Sequence, residues 1–149
     1  MDKIIIQTQD FDLSTELKLL TKNAKNIGAA VSFVGFVRDL HKQPLTKITL
    51  ENYPKMTQKA LAEIASKAHK RWVLGDITII HRIGNLRVNA QIVLVIVSSK
   101  HRKSAFEACE FIMDYLKTQA PFWKKEHSQN QSKWVEAKIG DKSQAKRWD

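Results

Sequence analysis

The chain has 149 residues, 43% hydrophobic and 27% charged, with only five Gly and three Pro; this excludes wholesale disorder and fits a single domain, residues 1–149, with an ordinary core. A formal net charge of +10 and a pI near 9.8 point to anionic partners, whether nucleic acid, acidic protein or phosphorylated small molecules. The longest strongly apolar run, Ile92 to Val97, is too short to cross a bilayer, the start MDKIIIQTQD lacks a signal peptide's long apolar region, and the lone Cys109 permits no intrachain disulfide, which together favour the cytoplasm.

Lys3 to Thr8 is Ile-rich and reads as an edge strand. Asp12 or Ser14 can cap a helix running to about Asn23, with Leu13, Leu17 and Leu20 on its apolar side. Ala29 to Val37, AAVSFVGFV, is β-branched and aromatic and reads as a largely buried strand. Gly35 interrupts it, as a glycine does at a bulge or where something approaches the backbone closely. Arg38 stands at the strand's end, before a polar loop from Asp39 to Pro44. A strand end is a usual place for a functional side chain, and a solvated loop arginine fits the pattern equally well.

Thr46 to Asn52 reads as another strand. Pro54 suits the first turn of a helix reaching about Trp72, with Ala60, Leu61, Ile64, Ala65 and Ala68 as its inward stripe. Asp76 to Ile83 and Gln91 to Ser99 read as strands, the second central, joined by a Gly84 to Ala90 loop compatible with an antiparallel connection. From about His101 an amphipathic helix follows, with Ala105, Ala108, Cys109, Ile112 and Leu116 at helical spacing, and Pro121 stops it. Phe122 to Glu126 and Lys133 to Ala137 can pair across the polar turn HSQNQS. The tail from Gly140 is polar and is expected to be mobile unless a partner orders it. Strands and helices do not alternate regularly, so the expected class is α+β with a mainly antiparallel or mixed sheet.

The chemistry legible in these residues is that of anion binding. The five histidines show no paired ligand spacing, one cysteine makes no thiolate cluster, and neither GxxxxGK[ST] nor GxGxxG occurs, so no metal or nucleotide cofactor is expected. Cys109 sits on the apolar face of its helix, as a small buried hydrophobe does. What remains is a set of cations beside apolar walls: Arg38, His101, Arg102, Lys117, Lys124 and Lys125. Arginine forks onto phosphate oxygens, a helix start adds N–H donors, and a partly buried lysine can move protons. Each has a plainer explanation too: Lys117 complements a helix C-terminus, and Lys124 and Lys125 serve solubility. A nucleic-acid-binding module is the rival class suggested by the pI, yet the excess charge is spread along the chain with no block of like charge.

Five ordered segments carry a more specific signal: VSFVGFVR at 31–38, ENYPKMTQKAL at 51–61, IIHRIGNL at 79–86, SSKHRKSAFEA at 98–108 and FIMDYLKTQAPFWKKE at 111–126. Together with WVEAK at 134–138 and the terminal AKRW, they resemble the large, catalytic subunit of molybdopterin synthase, the MoaE family. The resemblance implies an α/β hammerhead with additional antiparallel strands. It implies a sulfurtransferase that makes molybdopterin for molybdenum cofactor biosynthesis from cyclic pyranopterin monophosphate (precursor Z). The implied sulfur donor is a small ubiquitin-like subunit ending in a Gly-Gly thiocarboxylate, and the implied assembly is a heterotetramer around a central homodimer of large subunits. This chain ends KRWD and is not itself that carrier.

By motif position, Lys117 matches the family's principal catalytic lysine and Lys124, Lys125 and Glu126 a second substrate and catalytic segment, with Lys124 as the assisting lysine. Phe36, Val37 and Arg38 fall on a substrate-binding segment, and His101 and Arg102 match a pair that binds the substrate at its phosphate. After WVEA the family often has arginine, whereas this chain has Lys138, which keeps the charge and loses the fork; it is a weaker candidate.

Overall fold

A computed structural model describes residues 1–39, 45–128, 132–135 and 144–149. Its elements run β1 (Lys3–Gln7), α1 (Leu13–Thr21), β2 (Ala29–Phe36), β3 (Leu45–Asn52), α2 (Pro54–Arg71), β4 (Ile77–Arg82), β5 (Gly84–Arg87), β6 (Gln91–Ser99), α3 (Arg102–Gln119), β7 (Phe122–Ser128) and β8 (Ser132–Val135). The strands form two sheets, one ordered β1-β4-β6-β2 and the other β5-β3-β7-β8. The first is mixed, because β1 runs parallel to β4 while β4, β6 and β2 are antiparallel. The second is antiparallel throughout. The α+β class, the edge position of β1 and the antiparallel β4–β6 connection all follow the sequence reading.

The run Ile92 to Val97 is continuous in hydrophobicity because β6 is covered on both faces. Val93, Val95 and Val97 point one way, into a core with Leu61, Ile64 and Ala68 of α2 and Ala108, Phe111 and Ile112 of α3. Leu94 and Ile96 point the other way, with Ile80, onto Leu20 of α1. A strand's alternation thus divides one apolar run between two layers. Each fully buried aliphatic side chain stabilises the fold by about 1.5–3 kcal/mol. The Asp12 side chain caps α1 by accepting from the Thr15 amide at 3.0 Å. Pro54 opens α2 and Pro121 follows the end of α3, as their fixed φ and missing N–H require. No helix among the described residues is long and apolar enough to cross a membrane.

Three features depart from the sequence reading. Gly84 to Ala90 contains a short strand, β5, where a loop was expected; it pairs with β3 from Lys47↔Arg87 to Leu50↔Gly84. Its four residues begin with Gly84 at φ +88°, a conformation that glycine tolerates and that masks a strand in the pattern. β2 has a buried strand's composition yet lies at the edge of its sheet, leaving Phe33 39% and Phe36 55% exposed. The third departure is the C-terminus. Residues 144–149 dock on α2 and α3 through contacts within the chain. Trp148 stacks edgewise on Trp72 and Phe111, and its Nε1 donates to Asp114 at 2.6 Å. The Arg71 guanidinium lies over the Trp148 ring and donates to the Trp148 carbonyl at 2.7 Å, while Arg147 bridges Glu110 and Asp114. An indole with this many partners offsets the entropy of ordering a polar tail.

Trp148→Ala should therefore lower unfolding stability by about 2 kcal/mol, read as a shift of the urea midpoint at unchanged slope. A shift under about 0.5 kcal/mol would mean that the terminus is not held in solution.

Candidate active site

The two sheets meet around a cavity of about 310 Å³ at the C-terminal end of α3. Most of its lining residues are apolar, Phe36, Leu116 and Phe122 among them, polar atoms make up about half of the exposed wall, and the cationic side chains reaching it are Lys117 and Lys124. They arrive from different elements. The periodicity that buries Ala108, Ile112 and Leu116 turns Lys117, one position on, to the rim in the last turn of α3. Lys124 reaches the cavity from β7, where it pairs in register with Leu50 of β3 and Val135 of β8, both of which line the same space. Glu126, two residues along the strand and so on the same face, holds its carboxylate 3.6 Å from the Lys124 ammonium. Lys124 is 37% exposed and Glu126 only 11%, so solvent reduces the pair to a modest contribution. Its effect is to aim Lys124.

Gly35 performs both functions expected of a strand glycine. The register slips between Gly35 and Phe36, and a Cβ at Gly35 would come within 2.8 Å of Val93 Cγ1. Gly35 also lines the cavity, so its missing side chain helps to keep the cavity open.

One lining residue was missed from the sequence. His81 lies on the face of β4 that carries Ile77 and Ile79, pairs with Val93 of β6, and is 5% exposed. Its ring stacks on Phe122, with centroids 3.8 Å apart and planes 16° from parallel. Nδ1 lies 2.9 Å from the Arg82 carbonyl, which can only accept, so Nδ1 carries the hydrogen and Nε2 the lone pair. Burial pushes its pKa down to about 4, assisted by the Lys117 charge and opposed by the Arg82 bond. The imidazole is neutral at physiological pH. The available signal was a polar residue at the third place of an alternating apolar row in DITIIHRI.

The other expected residues are not all brought together. Val37 is 3% exposed and packs with Ile48, Leu50 and Leu86, so it backs the cavity wall instead of facing the space. Arg38 is exposed just beyond β2 and does not line the cavity. Lys125, next to Lys124 on the strand, faces the other side of the sheet, with its ammonium 5.5 Å from the centre of the Trp134 ring. His101 and Arg102 are exposed at the opposite end of α3, which at 1.5 Å per residue puts Arg102 roughly 22 Å from Lys117. Lys138 lies outside the described residues. Cys109 is buried, and burial pushes its thiol up to about 12, which leaves it a packing residue and not a nucleophile.

The model of the family described as MoaE protein matches residues 6–119, from β1 to the end of α3. The chain belongs to the MoaE family. A molybdopterin synthase catalytic subunit from Ralstonia nicotianae is 50% identical over 149 residues, covering 99% of this chain and 85% of that protein. A solved MoaE protein from Burkholderia ambifaria superposes with a TM-score of 0.86 at 48% identity, covering 99% of this chain and 98% of that one. A solved complex of subunits 1 and 2 of a molybdopterin-converting factor from Helicobacter pylori contains a chain matching at a TM-score of 0.71 and 27% identity, with 92% and 90% covered. These matches extend beyond α3, so family membership takes in the second sheet and Lys124 as well as Lys117.

The buried neutral histidine makes the stability of this chain depend on pH. The unfolded chain binds a proton on His81 near pH 6.5 that the folded chain refuses until about pH 4, so stability falls as pH drops through that window, by up to about 3 kcal/mol. His81→Phe should flatten the fall between pH 6.5 and 4 relative to the parent. His127, whose pKa is also lowered by burial and by Lys47 and Lys125, is present in both proteins and cancels in the difference. Urea midpoints at pH 7 and pH 4.5 that change equally in the two proteins would refute the assignment.

Proposed function

We propose that this chain is the catalytic subunit of a molybdopterin synthase. It transfers sulfur from the C-terminal thiocarboxylate of a small ubiquitin-like carrier to cyclic pyranopterin monophosphate and so builds the dithiolene of molybdopterin. The observation that carries the reading is the convergence of Lys117 and Lys124, from two separate elements, on one cavity. Both reactants are anionic, so a cationic site offsets their mutual repulsion. Thiocarboxylate sulfur is already a good nucleophile, which fits a site whose cysteine is elsewhere and protonated.

Sulfur attacks a side-chain carbon of the pterin and an oxygen leaves that carbon, as water from the carbonyl carbon in one round and as the phosphate's ester oxygen in the other, which opens the cyclic phosphate. Water then cleaves the acyl carbon–sulfur bond. Sulfur stays on the substrate and the carrier leaves as a carboxylate. Two rounds with two carriers supply both sulfurs. Lys117 positions the thiocarboxylate and moves protons, and Lys124, aimed by Glu126, assists. Phe36 closes the side of the cavity.

His101 and Arg102 bind the substrate's phosphate, and Arg38 contacts the substrate. One chain cannot bring Arg102 to Lys117, so the phosphate anchor of each site comes from a second copy of this chain. Among the described residues no strand covers the outer edge of β2, which is consistent with an assembly larger than one chain. The small carrier is the second partner, by analogy with the two-subunit Helicobacter pylori complex. Lys125 and Lys138 remain secondary substrate contacts, the chain works as one domain, and the reaction takes place in the cytoplasm.

Lys117→Ala should reduce dithiolene formation from thiocarboxylated carrier and cyclic pyranopterin by roughly a hundredfold or more while carrier binding persists. Near-normal product with intact binding would end the assignment. For the shared site, Lys117→Ala and Arg102→Ala chains, each inactive alone, should regain activity when mixed and reassembled, to about a quarter of the sites. No recovery in verified mixed assemblies would place both residues' function within one chain.

A further inference from the structure

The IIHRIGNL segment has no role in the sulfur-transfer scheme, yet it delivers His81 to the cavity. We propose that His81 is a positioning residue for Lys117: its Nε2 accepts a hydrogen bond from the Lys117 ammonium and holds it toward the thiocarboxylate. This rests on the reading of Lys117 as the catalytic lysine.

The geometry constrains the imidazole on every side but one. Stacking on Phe122 fixes the plane of the ring. The bond from Nδ1 to the Arg82 carbonyl fixes its rotation and its tautomer. Nε2 lies at the far end of the ring from that bond. His81 and Lys117 line the same cavity, so the lone pair and the ammonium share one space.

The charges around the ring favour this role. Lys117 approaches from α3, and Lys124 with Glu126 from β7; β6 contributes Val93, and β3 contributes Leu50. The Arg82 guanidinium is occupied with the Thr8 and Gln91 carbonyls at 3.1 and 2.9 Å. Burial and the Lys117 charge keep the ring neutral, and the acid on β7 already faces Lys124. A neutral acceptor orients an ammonium without cancelling its charge, which a carboxylate at the same place would do. The stacked Phe122 opens β7 directly after the turn from α3, and its amide donates to the Ala120 carbonyl at 2.8 Å. His81 therefore braces the short link between Lys117 and Lys124.

Two substitutions separate positioning from mere structure. The glutamine amide reaches the Nε2 position, whereas the asparagine amide reaches only the Nδ1 position and can retain the bond to Arg82. The assay is reconstituted dithiolene synthesis with thiocarboxylated carrier. His81→Gln should keep kcat within roughly threefold of the parent, and His81→Asn should lose roughly tenfold, the worth of one hydrogen bond, with KM for the carrier unchanged. In a Lys117→Ala background, His81→Asn should add no further loss. Asparagine performing as well as glutamine, or a loss that persists without Lys117, would overturn the proposal. A fully active Lys117→Ala would instead sink the sulfur-transfer reading itself. If both histidine variants fail to fold, nitrogen NMR decides: the His81 Nε2 resonance should move toward that of an unbonded ring nitrogen on Lys117→Ala, and an unmoved resonance would overturn the inference.

Discussion

The packing of α3 across β6 determines where the chemistry can occur. Ala105, Ala108, Ile112 and Leu116 are within 5% of complete burial, and the core they join includes Val93, Val95 and Val97. Small residues at 105 and 108 let the helix lie close to the sheet at its N-terminal half, and larger ones fill the space further along. This contact sets the rotation of the helix about its axis. A helix rotated by one residue, about 100°, would carry Lys117 off the rim and Leu116 into water. A lysine with no enclosing pocket of its own is thus aimed by hydrophobic packing a full turn away.

The second sheet supplies the opposing wall by a different rule. In α3 neighbours on one face are three or four residues apart, whereas in β7 they are two apart. The segment FWKKE therefore divides its charges. Lys124 and Glu126 face the cavity, and Lys125 goes to the Trp134 side. Adjacent lysines that look equivalent in the sequence end up with different roles, and strand alternation is the whole reason. The bulge at Gly35 and the +88° φ of Gly84 shape the strands around the cavity, each using glycine where a side chain would collide or strain.

Much of this was legible in advance because it depends on periodicity, which is local. The burial stripes of α2 and α3, the Pro54 and Pro121 boundaries and the two-faced β6 all come from residues a few positions apart. What was not legible depends on contacts distant in sequence. AAVSFVGF has the composition of a central strand, and nothing local reveals that it stands at the edge of its sheet among the described residues. Trp148 reads as part of a polar tail until Trp72, Phe111 and Asp114 are known to be beside it. The motif match grouped His101 and Arg102 with Lys117 as parts of one pocket. A single α-helix is rigid, so it keeps those positions far apart in one chain whatever their common function.

The division of charge within the cavity then follows from its two anionic reactants. Lysines attract a thiocarboxylate and a phosphate, but two lysines in one cavity also repel each other. Glu126 relieves that strain at Lys124, at the partly solvated side. A carboxylate facing the incoming sulfur would repel it. A buried neutral imidazole resolves the conflict: it accepts from an ammonium, carries no charge, and is kept neutral by the same burial and the same Lys117 charge that depress its pKa. The asymmetry between the lysines, one paired with an acid and one beside a histidine, is what a site needs if one cation holds the reactants while the other exchanges protons with them.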